Sequence, residues 1–291
     1  MTGVKLDFCE HPAQQQTPSQ ICNRKEIAIT QKEVTKLLDK GVIVVSSHEP
    51  DEFISNIFLR REKDGSYRMI LNLKELNEFV VYHHFKMDSL QAAARLMKPG
   101  CFMASIDLND AYYSVPIHRD YQKYLKVEFN GVLYQYTCLP NGLSSAPRLF
   151  TKLMKSVYAT LREEGNINLG YIDYSYLQGD TATECACNVN ATKALMQNLG
   201  FIPHLEKSVF NPTQIIVFFG FILNSVAKTI FPTPDKITKS IQCCTALLDN
   251  NNPTIQDLAE VIGVIVANFP GIEFGPLHYR NLDRDKVRTT H

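Results

Sequence analysis

The chain lacks an excess of charge of either sign: 30 lysines and arginines balance 30 aspartates and glutamates over 291 residues. A strongly basic surface, the usual advertisement of a nucleic-acid-binding protein, is therefore excluded. Overall neutrality still leaves room for one positive groove facing phosphates. Long apolar runs are also missing. The longest, VIGVIVANF at 261–269, is about half the length needed to span a bilayer, and no signal peptide is visible. Eight cysteines, at positions 9, 22, 101, 138, 185, 187, 243 and 244, match no zinc spacing. They predict reduced, mostly packed thiols in an intracellular protein of the cytoplasm or nucleus, without a membrane partner. No internal repeat is present. What remains is ordinary globular composition, 45% hydrophobic and 21% charged, long enough for one large domain or two modest ones.

Residues 1–26 mix Gln, Pro, Thr and charge and read as an irregular lead-in. Thr30 and Glu33 form a capping-box pattern ahead of Val34, Leu37 and Leu38, with Gly41 as the stop, so a helix is expected between them. ISNIFLRR and SYRMILNL are β-prone runs joined by EKDG, which predicts a hairpin. Between Arg60 and Lys74 this hairpin carries a net charge of +3. CFMASIDL reads as a buried strand ending at Asp107. KVEF and GVLYQYTCL pair about Asn130-Gly131, the strongest turn signal in the chain. Pro147 opens a helix with apolar residues at threes and fours, and Gly165 closes it. NLGYID and SYLQGD predict a short hairpin around Asp173. Thr181 and Glu184 cap a further helix, IIVFFGFIL reads as a strand, and two helical segments follow, the second starting at Thr254 and Asp257. The order predicts an α+β sheet domain with a mixed lobe before it and a helical lobe after it.

Two segments carry the chemistry: SIDLNDAYYSVP around Asp107 and GYIDYSYLQGD around Asp173. Taken alone, an aspartate at a strand end is commonly a cap or turn former. Two strands lying side by side would instead bring the two carboxylates close, and short, hard oxygen ligands so placed suit divalent cations of the Mg²⁺ type.

The segments FMASIDLNDAYYSVP, LPNGLSSAP, YIDY and HLEKSVF followed by FFGF stand in the order and approximate spacing of a reverse-transcriptase palm. The chain resembles the reverse transcriptases of retroelements over about residues 35–285. It is most similar in wording (YHHFKM, CFMASIDL, TCLPNGLSSAP, LGFIPHLEKS) to the DIRS-like, tyrosine-recombinase-encoding class. The resemblance implies a right-hand polymerase fold. Its fingers and palm would occupy 27–230, behind the lead-in of 1–26, and a helical thumb or connection 231–291. It further implies RNA-directed DNA polymerase activity with Mg²⁺ or Mn²⁺, acting on deoxynucleoside triphosphates and a primed RNA or DNA template, within a larger retroelement polyprotein.

By position, the resemblance makes Asp107, the Leu108 carbonyl and Asp173 metal ligands, and Lys207 the proton donor to the departing pyrophosphate or its electrostatic stabiliser. Arg68 would grip the triphosphate and Lys63 or its neighbour Arg61 would meet the γ-phosphate, with Asp110 and Ala111 orienting it. Tyr112 would exclude a 2′-hydroxyl, and Asn141 would sit beside the incoming nucleotide. Lys74 and Gly142 would meet the nucleic acid, and Phe219-Gly220 the primer end.

One position departs from the pattern. The family's YxDD box reads Tyr171-Ile172-Asp173-Tyr174 here, so a neutral phenol stands where the family carries its second carboxylate. A phenol is a poor Mg²⁺ ligand. An impaired polymerase is expected, the alternative being a catalytically inactive nucleic-acid-binding remnant. Asp180, a strand away, is not expected to rescue the site.

Overall fold

The computed structural model describes residues 3–14, 24–61, 65, 67–280 and 284. In chain order it begins with α1 (Arg24–Asp39), β1 (Ile43–Val45), β2 (Asn56–Arg61), β3 (Tyr67–Asn72), α2 (Lys74–Phe79), α3 (Leu90–Leu96) and β4 (Phe102–Asn109). A 3-10 turn, Ala111–Ser114, leads to α4 (Arg119–Gln122), β5 (Lys126–Phe129), β6 (Val132–Tyr136), α5 (Ala146–Glu163), β7 (Ile167–Tyr171), β8 (Tyr174–Gly179) and α6 (Ala182–Asn198). Then come β9 (Ile202–Pro203), β10 (Val209–Thr213), β11 (Ile215–Phe218), β12 (Phe221–Asn224), β13 (Thr229–Pro232), α7 (Pro234–Asp249), α8 (Ile255–Val266) and the short α9 (Gly275–His278). The class is α+β, as expected, and no described helix is long and apolar enough to cross a membrane. The chain divides into two units.

The first unit comprises Met1–Met87, Leu108–Val157 and Met196–Pro203. Helix α1 ends as its sequence predicts: Gly41 takes φ +67, and the amides of Gly41 and Val42 donate to the Leu38 and Leu37 carbonyls, a Schellman stop. Its start differs from expectation. The helix begins at Arg24, so Thr30 is buried within it rather than capping it; an upstream turn of helix satisfies the amides that a Thr30 cap would have served. Strands β2 and β3 form the charged hairpin in the register Arg60↔Arg68, and β1, β6 and β5 form a second antiparallel sheet. The lead-in is irregular yet docked. Val4 exchanges backbone bonds with Pro116 and His118, Cys9 and Asp7 bond to Phe79 and Val81, and the Gln14 amide pairs with both backbone groups of Ile54.

Lys126, on β5, is fully buried, and its ammonium meets Glu49 and Glu52 at 2.8 Å each and the Ser47 carbonyl at 2.8 Å. A buried cation needs such compensation, because desolvation alone would cost several kcal/mol.

The second unit comprises Asp88–Asp107, Tyr158–Leu195 and His204–His291. Its main sheet has the order β10-β4-β8-β7. Alternation along β4 and β8 puts Met103, Ser105, Tyr176 and Gln178 on one face. Around Met103 and Tyr176 gather Leu90, Ala93, Met97, Leu169, Phe218, Phe221 and Leu223 as one buried cluster. Ser175 points to the opposite face and shares a 2.6 Å bond with the buried Tyr158 hydroxyl. A Cβ at Gly170, the partner of Ser175, would fall 1.9 Å from the Tyr158 ring, so no side chain fits there without displacing the tyrosine. Thr181 and Glu184 cap α6 reciprocally, and Thr254 and Asp257 do the same for α8, as predicted. The run read as one strand, IIVFFGFIL, is a hairpin: β11 and β12 join through Phe219-Gly220, both at positive φ. Among the described cysteines only Cys101, Cys138 and Cys185 are buried, fewer than expected.

Burial pushes the Glu52 carboxyl up, but its bonds to Lys126, His48 and the Glu49 amide outweigh this and hold it below the ordinary value of 4.5. A carboxylate whose pKa is lowered by folding contributes stability at neutral pH, and that contribution fades as pH falls through the folded value. Glu52→Gln is expected to destabilise the protein at pH 7 by on the order of 3 kcal/mol by leaving Lys126 under-compensated. Denaturant titrations should show the gap narrowing below about pH 4.5. A gap that is constant with pH would show that the pair contributes through packing instead.

Candidate active site

The site in the second unit begins with a strand register. β4 and β8 run antiparallel with Asp107 opposite Tyr174, and the Ile172-Asp173 turn connects β7 to β8. Asp107 and Asp173 are therefore brought to neighbouring strands at the same end of the sheet. The turn is strained: Ile172 sits at φ +53, a left-handed conformation that costs a β-branched residue on the order of 1–3 kcal/mol. Such strain persists only where the surroundings impose it, and here it fixes the entry of Asp173.

The HLEKS segment clamps the Asp107 backbone from both sides. Its carbonyl accepts from the His204 amide at 2.7 Å, and its amide donates to Ser208 Oγ at 3.0 Å. Burial raises the Asp107 carboxyl above its ordinary value, while the charges of Lys207 and His204 pull it down. Lys207, expected from the sequence, is thus in the electrostatic field of Asp107. His204 and Ser208 were not expected, because a backbone clamp has no side-chain signature.

Tyr174 is half-buried and lies over the sheet. Its hydroxyl donates to the Val217 carbonyl at 3.0 Å and lies 3.2 Å from Ser105 Oγ, and its ring stacks on Phe218 with centroids 5.0 Å apart. Burial raises its pKa, Ser105 lowers it slightly and the Asp107 charge adds to the rise, so the phenol stays neutral at physiological pH. Asp180 follows the opposite end of β8 and is paired with Lys98 at 2.7 Å. Phe219 and Gly220 form a tight turn, both at positive φ, and Tyr171 meets the Phe219 ring edge-on at 4.6 Å.

The remaining candidates belong to the first unit. Asp110 takes a left-handed conformation, φ 48 and ψ 38, at the head of the 3-10 turn that carries Ala111 and Tyr112. Its carboxylate pairs with Lys40, a partner that sequence reading missed because it is 70 residues away. Ala111 is buried, and Tyr112 packs edge-on against Phe150 at 5.5 Å. Asn141 Nδ2 reaches the Tyr113 hydroxyl at 3.4 Å. Gly142 has φ +98, and a Cβ there would sit 3.1 Å from the Leu71 carbonyl, so backbone approach and conformation both favour glycine. Lys74 is exposed at the start of α2. Arg68 lies on β3 opposite Arg60. Lys63 lies outside the described residues.

Among the described residues no group of three His, Cys, Asp or Glu stands ready for a metal ion. On the second unit's sheet Asp107 and Asp173 stand at the same end, on adjoining strands. Two hard carboxylates on adjoining strand ends fit a divalent cation of the Mg²⁺ or Mn²⁺ kind, but with less negative charge than a three-carboxylate site would offer.

This chain is similar to known proteins. Residues 60–223 match the family described as reverse transcriptase (RNA-dependent DNA polymerase). The Pro-Pol polyprotein of Simian foamy virus type 1 is 24% identical over 250 residues, covering 82% of this chain and 21% of that protein. The chain thus spans about a fifth of that relative's length. Among solved structures, a foamy viral protease-reverse transcriptase in complex with double-stranded DNA superposes with a TM-score of 0.75 at 20% identity, over 90% of this chain and 44% of that one. The foamy viral protease-reverse transcriptase in complex with an RNA/DNA hybrid gives 0.70 at 19%, over 89% and 32%. At these identities the superpositions show the fold, with its C-terminal helical region. Together with the family match and the curated relative, they give a likeness to retroviral and retroelement reverse transcriptases generally, a coarser result than the DIRS-like resemblance.

The loop that carries Asn141 and Gly142 is held by Asn77, whose Nδ2 donates to the Gly142 carbonyl at 2.9 Å and whose Oδ1 accepts from the Ser144 amide at 2.8 Å. Asn77→Ala should cost about 1–2 kcal/mol through the loss of these two bonds, measured by urea denaturation. It should also speed limited proteolysis within residues 139–146. Unchanged proteolysis there would mean that the loop is held by other contacts.

Proposed function

Because this chain belongs to the reverse transcriptase (RNA-dependent DNA polymerase) family, we propose that it is the polymerase domain of a retroelement or retroviral Pol polyprotein, built for two-metal nucleotidyl transfer and impaired by Tyr174. The motif wording keeps a DIRS-like element as the narrower reading. The observation that carries the impairment is the register of Asp107 against Tyr174, with the phenol bonded to the protein's own Val217 carbonyl.

In this reading Asp107 and Asp173 hold the divalent cation, with the Leu108 carbonyl as a further oxygen. The cation would supply activation of the primer 3′-hydroxyl and neutralisation of the triphosphate. The motif wording further assigns the triphosphate to Arg68 and to Lys63 or Arg61, its orientation to Asp110 and Ala111, and exclusion of a 2′-hydroxyl to Tyr112. Asn141 borders the nucleotide, Lys207 offsets charge on the departing pyrophosphate, and Lys74, Gly142, Phe219 and Gly220 face template and primer. The foamy viral structures hold double-stranded DNA and an RNA/DNA hybrid, which supports a primed duplex as this chain's partner. The uncharged phenol at position 174 removes one negative charge from the cation's surroundings, which should lower the rate on the order of 10³-fold.

A second reading, a non-catalytic duplex-binding protein, is favoured by the same internal bonding of Tyr174. Primer extension on an RNA template, with Mg²⁺ and with Mn²⁺, separates the two. The natural sequence is expected to extend poorly and Tyr174→Asp to extend faster, with Asp107→Ala inactive. Comparable extension by the natural sequence and Tyr174→Asp would sink the impairment. No extension by either, together with salt-dependent duplex binding weakened by Arg68→Ala and Lys74→Ala, would favour the binding protein.

A further inference from the structure

Tyr174 occupies a place where two hairpins meet. The β7–β8 hairpin supplies Tyr171 and Tyr174; the β11–β12 hairpin supplies Phe218 and Phe219. β11 is an edge strand of its sheet, in the order β11-β12-β13. Phe218 pairs with Phe221 across the Phe219-Gly220 turn. In a hairpin with a two-residue loop the next pair, Val217↔Ile222, turns its backbone groups away from the partner strand. The Val217 carbonyl therefore looks outward from a sheet edge, and the Tyr174 hydroxyl meets it at 3.0 Å.

The rings add to this bond. Tyr174 lies nearly parallel to Phe218, with centroids 5.0 Å apart and planes 21° apart, and it meets Phe219 at 6.2 Å and 66°. Tyr171 meets Phe219 from its own side at 4.6 Å and 81°. Phe219 itself has φ +52, a strained conformation for a non-glycine residue that lasts only if its neighbours over-determine it. The outer face of β11 offers no such support, since Ile215 and Val217 are 55% and 51% exposed.

We infer that Tyr174 is a positioning residue: it ties the β11–β12 hairpin to the main sheet and thereby fixes the Phe219-Gly220 turn. An aspartate at this position could not replace it. Its carboxylate has no proton to donate to the Val217 carbonyl at neutral pH and no ring to stack on Phe218. The substitution thus exchanges a cation ligand for a strut, and reversal regains the ligand while releasing the hairpin. What the turn holds, a primer end, rests on the proposed function; the tether itself does not.

The test is hydrogen–deuterium exchange on the full chain, natural, Tyr174→Phe and Tyr174→Asp, without metal or nucleic acid. Peptides covering Ile215–Asn224 should exchange about fivefold faster in Tyr174→Phe, which loses one hydrogen bond. In Tyr174→Asp, which loses the stacking as well, they should exchange at least about tenfold faster. Peptides from Ala182–Asn198 should keep their rates, as expected for a local opening. Affinity for a primer–template duplex should fall in the same order, with Tyr174→Phe retaining most of it. Unchanged exchange at 215–224 in Tyr174→Asp, or equal acceleration in 182–198, would overturn the tether. If no variant binds duplex, the proposed function fails while the exchange order still decides the tether.

Discussion

The antiparallel register between Phe102–Asn109 and Tyr174–Gly179 is the constraint on which the site in the second unit depends. It sets Asp107 opposite Tyr174, lines Ser105 up with Tyr176, and leaves the Ile172-Asp173 turn at the end where Asp107 lies. A slip of one residue would send every one of these side chains to the other face of the sheet. The register is secured by what packs on each face: the Met103 and Tyr176 cluster on one side, and the Tyr158–Ser175 bond on the other. Burial of the sheet and placement of the carboxylate are thus one event. The His204 and Ser208 bonds to the Asp107 backbone add a third element to the same strand end.

Of the seven described non-glycine residues at positive φ, three lie in or beside turns that carry candidate residues, and Asp51, Asn130, Lys228 and Phe274 do not. Ile172, Asp110 and Phe219 all have positive φ, and each adjoins or is a residue assigned a role. None is a glycine, so each holds its conformation against a local penalty. Surrounding contacts impose it: Lys40 pairs with the Asp110 carboxylate, and Tyr171 and Tyr174 flank the Phe219 ring.

The sequence made the local parts of this legible and left the distant parts hidden. Asn130-Gly131, the Thr181 and Thr254 caps and the hairpin around Asp173 depend on neighbours within a few positions, so turn and capping chemistry found them. Helix α1 was misplaced at its start because Thr30 and Glu33 match a cap by composition alone. The β11–β12 hairpin looked like one strand because every residue but glycine in IIVFFGFIL is β-prone or apolar, and no propensity anticipates a phenylalanine at positive φ. Lys40, Asn77, Ser105 and Ser208 act through partners 65 to 101 residues away, which no local pattern encodes.

The phenol at position 174 can be weighed from the electrostatics of Asp107. That carboxyl is already raised by burial, and Lys207 and His204 only partly offset the effect. A second carboxylate directly across the strand pair would add like-charge repulsion in a half-dry environment and raise it further. A polymerase site accepts that cost because bound cations remove it. Without a cation the same two charges oppose folding, so the acidic version of this sheet is most stable when loaded. Tyrosine inverts the relation: it removes the repulsion, covers Phe218 and satisfies an edge carbonyl, all without metal. On the proposed reading the sheet then needs no cation at this end, and the position that would have helped to hold one serves the hairpin instead. On that reading stability and catalytic competence compete for the same position, and a residue that serves the first withdraws from the second.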